Sequence, residues 1–80
     1  MSDEALNRQE SPLKQMRQRV GLTQVELARR IGVSDRAVRA WEKGEYPPTL
    51  TIPQIRALCR ELQVPFDELP SDFGPSGNKE

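Results

Sequence analysis

The 80-residue chain contains no histidine and a single cysteine, and its aromatic residues are one tryptophan, one tyrosine and two phenylalanines. Without histidine the commonest general base is missing, and so is every Ser-His or Cys-His nucleophile pair. A lone cysteine closes no internal disulfide and, without histidine, makes a poor metal site. No apolar run approaches the roughly 20 residues of a membrane span, and mean hydropathy is -0.72. Met1-Ser2-Asp3-Glu4 is acidic and lacks the apolar core of a secretion signal. The length leaves room for one small domain, which excludes a nucleotide-binding α/β domain and a two-domain enzyme. Together these absences predict a soluble cytoplasmic protein that is not an enzyme and uses no cofactor, metal or membrane.

The chain also lacks an excess of charge: 12 basic groups balance 12 acidic ones. A strongly basic whole, frequent in nucleic-acid-binding domains, is therefore absent. The balance hides a polarised distribution. Residues 1–10 carry one basic and three acidic groups, net -2. Residues 11–43 carry eight basic groups against three acidic, net +5. Residues 44–80 carry three basic against six acidic, net -3. A +5 block is compatible both with solvated helix faces and with an anionic partner, so the spacing within it decides.

Residues 1–10 show no apolar period and are expected to form a disordered arm. Ser11-Pro12 has the form of an N-cap followed by proline at the first helical position. Leu13, Met16, Arg17 and Val20 recur at helical spacing up to Gly21, a residue suited to the left-handed position after a helix. Thr23-Gln24-Val25-Glu26 matches a capping box, and Leu27, Ala28 and Ile31 supply an inward face up to Gly32. Ser34 caps a third segment in which Val38 and Trp41 continue one apolar stripe to Gly44. Pro47 and Pro48 exclude helix. Thr51-Ile52-Pro53-Gln54 is a second capping box, followed by the stripe Ile55, Leu58, Cys59 and Leu62. Residues 65–69 fit one further turn, ended by Pro70. Residues 71–80 have Phe73 as their only large apolar group and are expected to form a flexible tail. No window has a strand period. The expected fold is all-α: four helices and a short fifth within a domain spanning residues 11–70.

The segments around Gly32 carry the functional signal. Two short helices share an inward face and meet through a turn that Gly32 permits and Val33 plugs, which is helix-turn-helix logic. With Val38 and Trp41 inward, Asp35, Arg36, Arg39, Ala40 and Lys43 point outward. Small Ala37 and Ala40 allow such a helix to lie deep in a major groove, where arginine grips guanine in a bidentate fork. The alternative for Arg36 and Arg39 is a solvated face. Asp35 suits the helix dipole and is also able to accept from cytosine. Trp41 is assigned to the core, not to base stacking, because it shares the face of Val38. Cys59 is expected to be a buried small hydrophobe, with redox sensing as its other reading.

Residues Leu13 to Leu69 resemble the phage lambda repressor and Cro type of helix-turn-helix domain, the XRE-like family. The matching pattern includes Arg17, Gly21-Leu22-Thr23-Gln24, Leu27-Ala28, Gly32-Val33-Ser34, Val38, Trp41-Glu42-Lys43-Gly44, Pro48, Leu58, Leu62-Gln63-Val64 and Asp67-Glu68-Leu69. The general docking geometry of the motif is itself drawn from this family. The resemblance implies that Gln24, with Thr23 beside it, contacts phosphate and braces the recognition helix. It implies base reading by Asp35 and Arg36 after the Ser34 cap, a further base-facing position at Ala40, Arg39 between base and phosphate, and Lys43 on phosphate. It implies an internal ion pair between Arg17 and Glu42. Three departures stand out. Two extra residues lie between Pro48 and the fourth helix. The loop after Gly44 is acidic at Glu45, leaving Tyr46 as its remaining hydrogen-bond donor to DNA. Gln63 stands where glycine is usual, which suggests a different helix cap.

The reading is sequence-specific binding of double-stranded DNA by a small transcriptional regulator, a repressor acting as a dimer on a near-palindromic operator. Phe66, Leu69 and Phe73 are the candidates for the homodimer contact, against the alternative that they cap the monomer core. Two rivals share the fold: an antitoxin-like autorepressor whose tail engages a protein partner, and a protein-interaction module that does not bind DNA.

Overall fold

The computed structural model describes residues 11–45, 47–70 and 73–74. The expected N-terminal arm, the Tyr46 donor and most of the expected tail lie outside the described residues. Helix α1 runs Pro12–Arg19, α2 Gln24–Ile31, α3 Asp35–Lys43 and α4 Ile52–Leu62, followed by a 3₁₀ turn at Phe66–Glu68. Among the described residues there is no strand.

Each helix begins where its sequence supplies a side-chain acceptor for the unpaired amides of a first turn. The Ser11 hydroxyl accepts from the Lys14 amide, and Pro12 opens α1. Thr23 and Glu26 exchange both capping-box bonds. Ser34 accepts from the Ala37 amide at 3.1 Å. Thr51 and Gln54 form the second reciprocal box.

The turn between α2 and α3 has the tightest requirement. Gly32 adopts φ 83°, ψ 34°, which is left-handed. The Gly32 and Val33 amides both donate to the Ala28 carbonyl, at 2.9 and 3.0 Å. A side chain at position 32 would be strained by the backbone angle alone. Val33 packs against the core from the turn, and Gln54 of α4 donates its side-chain amide to the Gly32 carbonyl at 3.1 Å. The turn is thus held from within and from the neighbouring helix.

Helix α2 packs on both α3 and α4, and α1 packs on α3. Leu13, Leu27, Ala28, Ile31, Val38, Trp41, Leu58 and Leu62 form the core. Four details differ from the sequence expectation. Phe73 belongs to this core at 5% exposure, because its ring meets Trp41 edge-on. Cys59 is half-buried, not buried: α4 turns Leu58 and Leu62 inward and leaves Cys59 on the flank with Ile52, Ile55, Arg56 and Phe66. The last turn is 3₁₀, and Phe66 on it is 67% exposed. Gln63 keeps the left-handed cap at φ 62° despite its side chain, and the Val64 amide donates to the Cys59 carbonyl.

Candidate nucleic-acid interface

Helix α3 is nine residues long. A helix that short has little stability of its own, so its surroundings must hold it. Val38 and Trp41 anchor one side in the core. On the next turn Glu42 is buried, and its carboxylate is fully engaged. Arg17 of α1 donates from Nε to Glu42 Oε2 at 2.8 Å and from Nη2 to Oε1 at 3.0 Å. Gln24 of α2 donates to the same Oε1 at 3.0 Å. Arg17 also donates from Nη1 to the Leu22 carbonyl at 2.9 Å. Arg17 and Glu42 are each 7% exposed. A bidentate pair in which all three guanidinium nitrogens donate and both carboxylate oxygens accept is the arrangement that makes a buried charge pair tolerable. It ties the start of α2 and the middle of α1 to the end of α3.

The opposite side of α3 faces solvent. Arg36, Arg39 and Lys43 are exposed and surround a shallow depression closed by Glu45. Ala40 forms its floor. The sequence placed Ala40 outward; it lines this depression with Arg36, Arg39, Lys43 and Glu45 but is only 5% exposed. Asp35 and Arg39, one helical turn apart, are paired at 2.6 Å with both side chains substantially exposed. Their i,i+4 spacing was the sequence signal for this pair, and it was missed. Arg30 of α2 pairs with Glu61 of α4 at 3.1 Å. Arg36 and Lys43 have no ion-pair partner among the described residues.

The Thr23 and Ser34 hydroxyls stand at the N-termini of α2 and α3, and each accepts from a backbone amide. A hydroxyl that accepts in a cap keeps its own proton to donate. Glu26 completes the Thr23 cap. The Thr23 amide donating to it holds its carboxyl below the usual range; partial burial opposes this, and the Thr23 hydroxyl, Arg30 and Arg29 add to the lowering. Of the three groups expected at a dimer contact, Phe66 is exposed, Leu69 is half-buried against the core and Phe73 is inside it. Phe73 thus packs in the monomer core, the alternative to a dimer contact, and offers no surface to a second copy. Among the described residues, no helix is long and apolar enough to cross a membrane.

Comparison with known proteins agrees with this geometry. A helix-turn-helix family model matches residues 13–69. A relative from Methanothermobacter thermautotrophicus, named an uncharacterized HTH-type transcriptional regulator, is 45% identical over 51 residues, which cover 61% of this chain and 74% of the relative. No solved structure matches the chain. Two capped helices joined at Gly32, a buried Arg17–Glu42 brace and a match extending over most of the chain place this protein in the lambda repressor-like, or XRE-like, helix-turn-helix family.

Proposed function

We propose that the protein binds double-stranded DNA in a sequence-dependent way and regulates transcription, with α3 as the recognition helix. The observation that carries this reading is the exposed face of α3: three cations on one side of a helix whose other side is locked into the core. Arg36, exposed in the first turn, is assigned to base reading through its fork. Lys43, at the far end, is assigned to phosphate. Arg39 reaches DNA by leaving Asp35, and Asp35 is then free to accept from a cytosine amine. Ala40, at the floor of the depression, leaves space for a base edge.

Thr23, Ser34 and Gln24 are assigned to the backbone. The Ser34 hydroxyl retains a proton to donate, the Thr23 hydroxyl reaches phosphate by turning its proton from the Glu26 carboxylate, and the Gln24 amide has a second N–H beyond the one given to Glu42. These contacts fix register and carry no sequence information directly. We assign the protein the role of a cytoplasmic repressor that acts as a homodimer on a near-palindromic operator. Phe66 and Ile52, both 67% exposed on the α4 side, support an apolar contact between copies.

A mobility-shift titration against random duplex at low salt tests the reading. Binding that weakens steeply as salt rises is expected, because phosphate contacts release counterions. Failure to bind any duplex at low salt overturns it and leaves the protein-interaction module in its place. Selection from random DNA then defines the operator, and an inverted repeat among the selected sites is the expected result for a dimer.

A further inference from the structure

Residues beyond the helix-turn-helix match take part in holding the recognition helix. Phe73 and Gly74 lie past its limit at residue 69. The Phe73 ring packs against Trp41 of α3 with centroids 6.0 Å apart and planes at 64°. Its carbonyl accepts a buried hydrogen bond from the Ser11 hydroxyl, the same oxygen that caps α1. Gly74 then passes directly over the end of α3. A Cβ at position 74 would lie 2.6 Å from Gly44 Cα and 3.1 Å from Gly44 N, a separation that only glycine permits. Phe73 and Gly74 therefore bridge the start of α1 and the last turn of α3, next to Lys43.

We infer that Phe73 and Gly74 are a strap that positions the C-terminal end of the recognition helix, and with it Lys43, for DNA. The inference rests on the DNA-binding reading above. Three restraints act on α3. The Ser34 cap and Val33 plug fix its beginning, and the Arg17–Glu42–Gln24 brace fixes its third turn. The strap fixes its end by covering Trp41 and pressing on the Gly44 cap, whose amide donates to the Ala40 and Trp41 carbonyls. The first two restraints lie within the family match, and the third is contributed by the residues beyond it. Lifting the strap uncovers Trp41 and frees the cap beside Lys43, whose side chain then loses a fixed starting point for reaching phosphate. Because coupling between two sites is reciprocal, DNA that prefers the strapped helix must also favour the docked strap.

The test uses the full chain as wild type, Gly74→Ala and Phe73→Leu, each labelled with 4-fluorophenylalanine. The sequence has two phenylalanines, so exposed Phe66 serves as the fluorine reference for Phe73 in wild type and Gly74→Ala. Binding to a random duplex is followed by anisotropy across a salt series, at a temperature where circular dichroism shows all three proteins equally folded. Gly74→Ala is expected to move the Phe73 resonance towards the Phe66 position. It should weaken binding by about tenfold, within the ordinary range of coupling between sites, and lower the salt slope by about one unit, the signature of one lost phosphate contact. Phe73→Leu, which keeps Gly74 and an apolar plug on Trp41, should retain most of the wild-type affinity and slope. Saturating duplex should return the Gly74→Ala resonance towards its wild-type position. An undocked Phe73 with wild-type affinity and slope overturns the inference, as does a weaker affinity with an unchanged slope, and so does a Gly74→Ala resonance that does not move. If wild type binds no duplex, the DNA reading itself fails and takes the positioning role with it, while the resonances still report separately whether the strap is docked.

Discussion

Removing one partner of the Arg17–Glu42 pair should cost far more than an ordinary surface ion pair. Both groups are 7% exposed, and the carboxylate accepts from Arg17 twice and from Gln24 once. Arg17→Met leaves a buried carboxylate with only the Gln24 amide. Glu42→Leu leaves a buried guanidinium with only the Leu22 carbonyl. Breaking a buried pair in this way costs about 3–5 kcal/mol. A domain of roughly 60 residues has about 3–9 kcal/mol of stability in total, so either single change should remove a large part of it and lower Tm by more than about 10 °C. The double variant Arg17→Met/Glu42→Leu removes both charges and fills the space with apolar atoms. It should be more stable than either single variant and lie within about 2 kcal/mol of wild type, since apolar replacement of a buried pair is often neutral. Urea unfolding followed by far-UV circular dichroism measures all four members of the cycle. The deficits of the single variants should persist at high salt, which screens exposed charges much more than buried ones. Single variants within about 1 kcal/mol of wild type, the range of exposed pairs, would refute the reasoning.

Three further outcomes are expected. Gln63→Gly should stabilise the domain by about 1 kcal/mol, because Gln63 sits at φ 62° where a Cβ is penalised; a loss of stability in urea would show that its side chain has a compensating contact. Glu26→Gln keeps the capping geometry but removes a charge whose pKa is lowered chiefly by the Thr23 amide. The stabilisation from that lowering is complete above the ordinary glutamate pKa and disappears as pH falls through the lowered folded value, so unfolding curves of wild type and variant should converge in acid; a gap that is constant with pH would contradict this. Arg36→Ala should cost about 1–3 kcal/mol on the preferred site and flatten preference at one base pair, whereas Lys43→Ala should weaken all sequences alike and reduce the salt slope by about one unit. Equal losses on specific and random duplex in the Arg36 variant would make that residue a phosphate contact.

How much of this was legible in the sequence follows the range of the interactions. Caps are local, and Ser11, Thr23, Ser34 and Thr51 mark the four helix starts because an acceptor must lie three residues from the amide it receives. The turn at Gly32 was equally local. Phe73 was not legible: it is one aromatic group in a polar, proline-flanked segment, and its burial depends on a space beside Trp41 that exists only after four helices have packed. Ala40 and Cys59 failed for a related reason. Helical periodicity gives the direction of a side chain, but its accessibility depends on how far its neighbours reach. At Gln63 the substitution of glycine suggested a changed cap, yet the backbone keeps the left-handed form because the following Val64 amide still pairs with the Cys59 carbonyl.

The paired charges also explain how a chain with no net charge retains a cationic face. Of the eight basic groups in residues 11–43, Arg17, Arg30 and Arg39 each have a carboxylate partner. These pairs have different consequences for an anionic ligand. Arg17 is buried and inaccessible, so its charge acts on the position of α3 and not on the surface. Arg30 is held on the α2–α4 side by Glu61. Arg39 lies on the recognition face, and its exposed pair with Asp35 is of the kind worth at most about 1 kcal/mol, so exchanging the carboxylate for a phosphate or a base costs little. The carboxylate itself does not leave. In the proposed complex, once Arg39 turns to DNA, Asp35 stays at the first turn of the helix, where phosphate would repel it and only a donor would satisfy it. On that proposal a weak internal pair of this sort would lower affinity for arbitrary duplex and oppose sequences that offer no donor to Asp35, the way an unfavourable group contributes to discrimination. Arg36 and Lys43 need no such exchange, and the cationic face rests first on them.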